Sequence, residues 1–222
     1  MDKRADERLL RGGEGFFTDI QRSWQIASEF RRGFAALRKI GPCITFFGSS
    51  RFAEDNNWYT SARSAAATAG QRGFAIMTGG GPGIMEAANR GARDVGAHSI
   101  GCNIQLPREQ QANPYLDTAL HFDHFFVRKV MLVRYSSAFI ILPGGFGTLD
   151  EVFETVTLIQ TGKIRKFPVI LMGSEYWSEL IDFVRDSMLA AATINRQDLD
   201  SLVICDDPVA AIDLIQRGLN SQ

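Results

Sequence analysis

The sequence predicts an α/β fold: a parallel sheet, doubly wound, with helices on both faces, in a single domain. Three observations carry this. Short, near-continuous apolar runs alternate with helical stretches from residue 43 onward, and strands buried on both faces read as continuous apolar runs rather than as alternating patterns. Several of the runs stop at small or glycine-rich turns, at 48–51, 78–83 and 143–148. No stretch rich in Pro, Gly or Ser divides the 222 residues, a length that suits one α/β domain.

Each element follows in order. Residues 1–15 are charged and carry Gly12, Gly13 and Gly15, so a mobile tail is expected. Residues 16–40 form a helical arm. Phe16, Ile20, Trp24, Ala27, Phe30, Phe34 and Leu37 recur at helical spacing in one apolar stripe, suited to packing on the sheet or on a partner subunit. The domain proper is expected over 41–222. Strands are read at 43–47, 74–77, 98–104, 138–142, 168–172 and 202–205, with a short one at 119–122. Helices are read at 58–71, 84–95, 125–135, from about 149, at about 175–189 and at about 208–218.

Bulk composition narrows the function. Lys plus Arg number 24 and Asp plus Glu 25, a formal charge of −1, so nothing favours nucleic acid or a membrane surface as a partner. The three cysteines, Cys43, Cys102 and Cys205, are dispersed in or beside apolar runs. They read as small buried thiols, not as a disulfide framework or zinc site. No run approaches the roughly 18 apolar residues of a membrane span. The N-terminus lacks the apolar segment of a signal peptide, so a cytoplasmic location is expected.

The most informative motif is Pro143-Gly144-Gly145-Phe146-Gly147-Thr148-Leu149-Asp150-Glu151, between a strand and a helix. Glycines permit a tight turn and close approach to a ligand, and a helix N-terminus offers unpaired N–H groups to an anion. Gly144, Gly145, Gly147 and Thr148 are therefore expected to bind phosphate, with the carboxylate of Glu151 one turn away. Thr148 and Glu151 also have the spacing of a capping box, which requires no ligand. A second turn, Gly79-Gly80-Gly81-Pro82-Gly83, precedes a helix carrying Glu86; Gly80, Gly81 and Glu86 are placed at the same site. It lacks the dinucleotide spacing, and neither turn has a P-loop lysine. Ser49, Arg51 and Asn103 are expected to reach the same edge from other strand ends. Arg128 and Lys129 open the helix that precedes the 138–142 strand, and Lys129 is expected among the substrate-binding residues. His121 and His124 form a lone His-x-x-His without an obvious third ligand, so no metal is expected; no cofactor is expected either.

Together these residues resemble the LOG (LONELY GUY) family of cytokinin riboside 5′-monophosphate phosphoribohydrolases, formerly labelled lysine decarboxylases. The signature Pro-Gly-Gly-x-Gly-Thr-x-x-Glu matches at 143–151, an Arg-Lys element at 128–129, and a glycine-rich segment at 79–86. The resemblance spans about residues 43–218. It implies a Rossmann-like fold and hydrolysis of the N-glycosidic bond of a nucleoside 5′-monophosphate, such as AMP, to free base and ribose 5-phosphate. It further implies Arg128 and Glu151 as the catalytic pair and a homodimer or larger homo-oligomer. Val127 stands where shorter plant-type members have Glu, and the first glycine segment is one residue shorter; both departures suggest a bacterial subgroup. Two other readings stay open: a non-catalytic carrier of a phosphorylated cofactor, like molybdenum-cofactor carriers, and a pyridoxal-phosphate decarboxylase using Lys129 as its Schiff-base lysine.

Overall fold

The computed structural model describes residues 4–11, 15–105 and 111–220. Gly12 and Gly13 lie outside them. Two helices precede the sheet, α1 (Ala5–Arg11) and α2 (Phe16–Leu37). The segment expected as a tail is therefore partly helical, and Ala5 is buried.

The strands are β1 (Cys43–Phe47), β2 (Ala75–Thr78), β3 (Ser99–Ile104), β4 (Thr118–Phe122), β5 (Ala138–Ile141), β6 (Val169–Leu171) and β7 (Leu202–Ile204). Between and after them run α3 (Asn57–Gln71), α4 (Ile84–Asp94), α5 (Phe125–Arg134), α6 (Phe146–Gln160), α7 (Ser174–Phe183), α8 (Arg196–Leu199) and α9 (Pro208–Asn220). Among the described residues these strands form one parallel sheet in the order β4-β3-β2-β1-β5-β6-β7. The chain winds outward from β1 to β4, returns to the other side of β1 with β5, and winds outward again. The switch point of the sheet is thus the β1–β5 seam, where Thr45 pairs with Phe139 and Phe46 with Ile140. In such sheets the crevice at this seam, beyond the strands' carboxyl ends, is where ligands bind.

Continuous apolarity is explained by two cores. Ile44, Phe46, Ile76 and Ile140 pack on one face against the alanines of α3 and α4 and against Ile212 and Ile215 of α9. Cys43, Phe47, Met77 and Phe139 pack on the other against Leu37, Met131, Leu132, Val152 and Trp177. Successive side chains of a strand take opposite faces, so both faces need apolar residues. The α3–α4 packing is close enough that a Cβ on Gly91 would meet the Arg63 carbonyl.

Two element readings change. The 175–189 helix is α7 followed by a π-helical turn at Val184–Leu189. The apolar stripe of α2 is buried only toward its end: Leu37 is fully buried, but Phe16, Phe17 and Trp24 are 73%, 85% and 70% exposed. The periodicity reports the helix, but only its second half reaches the sheet.

Candidate active site

The loops after β1 and β5 meet at the seam. Ser49 N donates to the Pro143 carbonyl at 2.9 Å and Ile84 N to the Ser49 carbonyl at 3.0 Å, which ties both loops to the start of α4. Gly83 permits that approach. Its φ is +68°, and a Cβ there would lie 2.5 Å from the Ser49 carbonyl oxygen. The result is a cavity of about 610 Å³ lined by Ser49, Ser50, Arg51, Met85, Arg128 and the 144–148 turn, with Glu151 and Tyr176 completing the wall.

α6 starts at Phe146, three residues before its expected start, with Gly145 as N-cap and no side-chain cap. Thr148 N and Leu149 N both donate to the Gly145 carbonyl, at 3.0 and 3.1 Å. Thr148 is therefore inside the first turn, and the expected Thr148–Glu151 capping box does not form. The helix start has no side-chain acceptor for its first N–H groups, and Phe146 and Gly147 line the cavity. The glycines divide by cause. A Cβ on Gly144 would collide with the Thr148 hydroxyl oxygen, so packing alone demands glycine there. Gly145 and Gly147 have open space around a would-be Cβ and no left-handed φ. Packing does not require glycine at either position.

Glu151 lies one turn deeper, 3% exposed. Its Oε1 is 3.8 Å from Arg128 Nη1, and its Oε2 has no hydrogen-bond partner. Burial pushes its carboxyl up to about 7, against the pull of Arg128 and Lys129. Arg128 is held by a 2.8 Å hydrogen bond from Nε to the Cys102 carbonyl. Burial lowers its guanidinium below the ordinary value, partly offset by Glu151; an arginine remains a cation all the same. The pair is a carboxyl raised toward neutrality by burial beside a fixed cation, one turn inside the N-terminus of α6.

The other expected site residues do not all meet here. Ser49 and Arg51 do. Glu86 does not line the cavity; its Oε1 accepts from Tyr59 Oη at 3.1 Å. Lys129 does not line the cavity either; it pairs with Asp150 at 2.9 Å and Glu154 at 2.7 Å on α6. A lysine so engaged, outside the cavity, does not fit a Schiff-base role. Gly80, Gly81 and Asn103 form scaffolding beside the cavity. Gly80 has φ +74°. In the amide orientation that pairs donors with acceptors, Asn103 donates to the Gly79 carbonyl at 2.6 Å and the Gly80 carbonyl at 3.1 Å. Buried Asn113 takes part from across the chain, donating to the Gly80 and Gly81 carbonyls, and Thr78 Oγ1 accepts from Gly80 N at 2.8 Å.

Tyr176 escaped the sequence reading. It follows β6, and its hydroxyl donates to the Gly144 carbonyl at 2.8 Å. Only the pairing of β6 beside β5 brings it there, and no local motif announces it. Among the described residues no group of three or more His, Cys, Asp or Glu is placed to hold a metal ion, and no helix is long and apolar enough to cross a membrane.

The family model described as "possible lysine decarboxylase" matches residues 85–215. The chain is 33% identical over 154 residues to cytokinin riboside 5′-monophosphate phosphoribohydrolase LOG4 of Arabidopsis thaliana, covering 66% of this chain and 68% of that protein. It is 35% identical over 119 residues to the LOG enzyme of rice, Oryza sativa subsp. japonica, covering 51% of this chain and 48% of that protein. The chain thus spans about two thirds of the first relative and about half of the second. In fold it is similar to the molybdenum cofactor binding protein of Rippkaea orientalis, with a TM-score of 0.60 and 24% identity over 79% of this chain and 96% of that one. A molybdenum cofactor carrier protein of Chlamydomonas reinhardtii gives a TM-score of 0.61 and 22% identity over 82% of this chain and 99% of its own.

Proposed function

The chain belongs to the LOG family, whose model carries the description "possible lysine decarboxylase", and from that premise we propose that it is a nucleoside 5′-monophosphate phosphoribohydrolase. Its substrate is AMP or a cytokinin riboside 5′-monophosphate; its products are the free base and ribose 5-phosphate. The observation that carries this reading is the buried, unpartnered Oε2 of Glu151 beside Arg128, inside a cavity whose mouth is the N-terminus of α6.

The 5′-phosphate seats on backbone N–H groups of the 145–147 turn and on the Thr148 hydroxyl, with Arg51 supplying positive charge from the β1 loop. Fixing the phosphate lets remote binding energy hold the ribose in register with Glu151. The bond between the anomeric carbon and the base nitrogen breaks with oxocarbenium-like character at the sugar. The Glu151 carboxylate offsets that charge and takes a proton from the attacking water. Water supplies the new C–O bond; the base leaves with the bonding electron pair and takes a proton from solvent, and Glu151 releases to solvent the proton it took from water. Arg128 orients the nucleotide and balances the negative charge of the departing base. It does not donate the proton, because a guanidinium holds its own.

The protein is further proposed to be a homodimer. Phe126 and Val130 on α5 and Phe153 on α6 are each about 40% exposed on the side of these helices away from the sheet. Incubation with AMP and with an N6-modified AMP, followed by detection of free base, tests the reaction; no base released from any nucleoside monophosphate would overturn it. The carrier reading predicts instead tight retention of a pterin phosphate without turnover.

A further inference from the structure

Helix α5 carries Arg128 but has no cap of its own. Its N-cap, His124, makes no side-chain capping bond, and its first turn holds no acidic residue. A buried cation one turn inside a helix N-terminus also opposes the helix dipole. The missing acceptors come from the N-terminal helices, which lie outside the 85–215 family match. Glu29 of α2, 4% exposed, accepts from Asp123 N at 2.9 Å and from His124 N at 3.3 Å through Oε2. Its Oε1 is 2.6 Å from His124 Nδ1. Asp6 of α1 accepts from Phe125 N at 3.1 Å. Two more contacts hold α2 along the same segment: Arg32 Nη2 donates to the His121 carbonyl at 3.1 Å, and a Cβ on Gly33 would lie 2.7 Å from Met131 Sδ.

We propose that the N-terminal arm is the cap that α5 does not supply for itself, and that Glu29 is thereby a positioning residue for Arg128. It touches no substrate. It fixes the entry of α5 and places two carboxylates at the positive end of the dipole. The helix then delivers the guanidinium to Cys102 and Glu151 in one place. A buried carboxylate that collects two backbone N–H groups and an imidazole from the segment entering this helix is more than a surface ion pair. Asp6, half-buried, adds a weaker contribution.

The activity readout rests on the phosphoribohydrolase reading, so a second readout independent of catalysis accompanies it. In isotopically labelled full-length protein, the Nε–H resonance of Arg128 is identified by its loss in Arg128→Lys. Glu29→Ala is expected to shift and broaden that resonance. The same variant is expected to lower kcat for AMP by on the order of 10- to 100-fold, the scale of a small misplacement of a reacting group. In the Arg128→Lys background Glu29→Ala should cost no further activity, while its loss of thermal stability should persist in full. Asp6→Asn should act in the same direction and more weakly. An unchanged Arg128 resonance, or activity losses that multiply in the double variant, would overturn the proposal. If Glu29→Ala does not fold, Glu29→Gln is judged by the same two criteria. If the wild type releases no base from any nucleotide, the hydrolase reading fails, and the resonance alone decides the positioning role.

Discussion

At the scale of single residues, Glu151 has a buried oxygen with no hydrogen-bond partner, and burial raises its carboxyl from 4.5 to about 7. The sign of the linkage is definite. A folded-state pKa above the unfolded one stabilises the fold below about pH 4.5, and that contribution is lost as pH rises through about 7. Wild type should therefore lose stability relative to Glu151→Gln between those values, by on the order of 3 kcal/mol at most; parallel denaturation curves of the two proteins at pH 5 and pH 8 measure it. Activity should move the opposite way. The proposed role needs the carboxylate, so kcat/KM for AMP should rise through about pH 7 and level off. A falling limb there would make Glu151 a general acid instead. Glu151→Gln should reduce base release at least ~10²-fold, the usual worth of an acid–base group; full activity would remove Glu151 from the mechanism. Its catalytic reading from sequence leaned on the family signature, because Thr-x-x-Glu by itself fits a capping box. The helix start at Phe146 removes that ambiguity.

At the scale of elements, the turns after β1, β2 and β5 were legible from their glycines, because a backbone bend has a local sequence signature. What each glycine does was not legible, since it depends on which atoms approach it. Gly83→Ala should destabilise by roughly 1–3 kcal/mol, because its φ is +68° and the new Cβ meets the Ser49 and Ser50 backbone; urea midpoints read this. Gly147→Ala has open space and replaces a poor helix former in the first turn of α6, so stability should hold or improve by up to about 1 kcal/mol. Its affinity for ribose 5-phosphate should nevertheless fall, as calorimetric titration would show. Equal affinity in Gly147→Ala would take the phosphate off this turn. Lys129 teaches the same lesson. Neighbouring positions on a helix face different directions, so Arg128 enters the cavity while Lys129 pairs with Asp150 and Glu154 on α6.

At the scale of the whole molecule, the sheet order places the two halves of the site on either side of the β1–β5 seam. Helices α5 and α6 carry Arg128 and Glu151 inward and Val130 and Phe153 outward. If those outer faces associate, the catalytic helices are held at the subunit boundary. Light scattering should then give about twice the 24.6 kDa chain mass. A species at the chain mass would reject the dimer. The pair Phe126→Glu and Val130→Glu should shift the protein toward that smaller species.

The sequence by itself determined the strand–helix alternation, the sheet's double cover, the glycine-rich turn between β5 and α6 and the family, because these depend on local periodicity, glycine placement and contiguous motifs. Only the tertiary structure decided which residues share the cavity. Glu86, Lys129 and Asn103 do not line it; they bond instead to Tyr59, to Asp150 and Glu154, and to the 79–80 carbonyls. The tertiary structure added Tyr176 from beyond β6 and brought Glu29 and Asp6 to the N–H groups at the start of the helix bearing Arg128. The physical reason is common to all of these. Where a side chain points depends on strand order and helix rotation, and the groups that satisfy a buried N–H or carboxylate come from segments tens of residues away. Nothing in the local pattern records that distance.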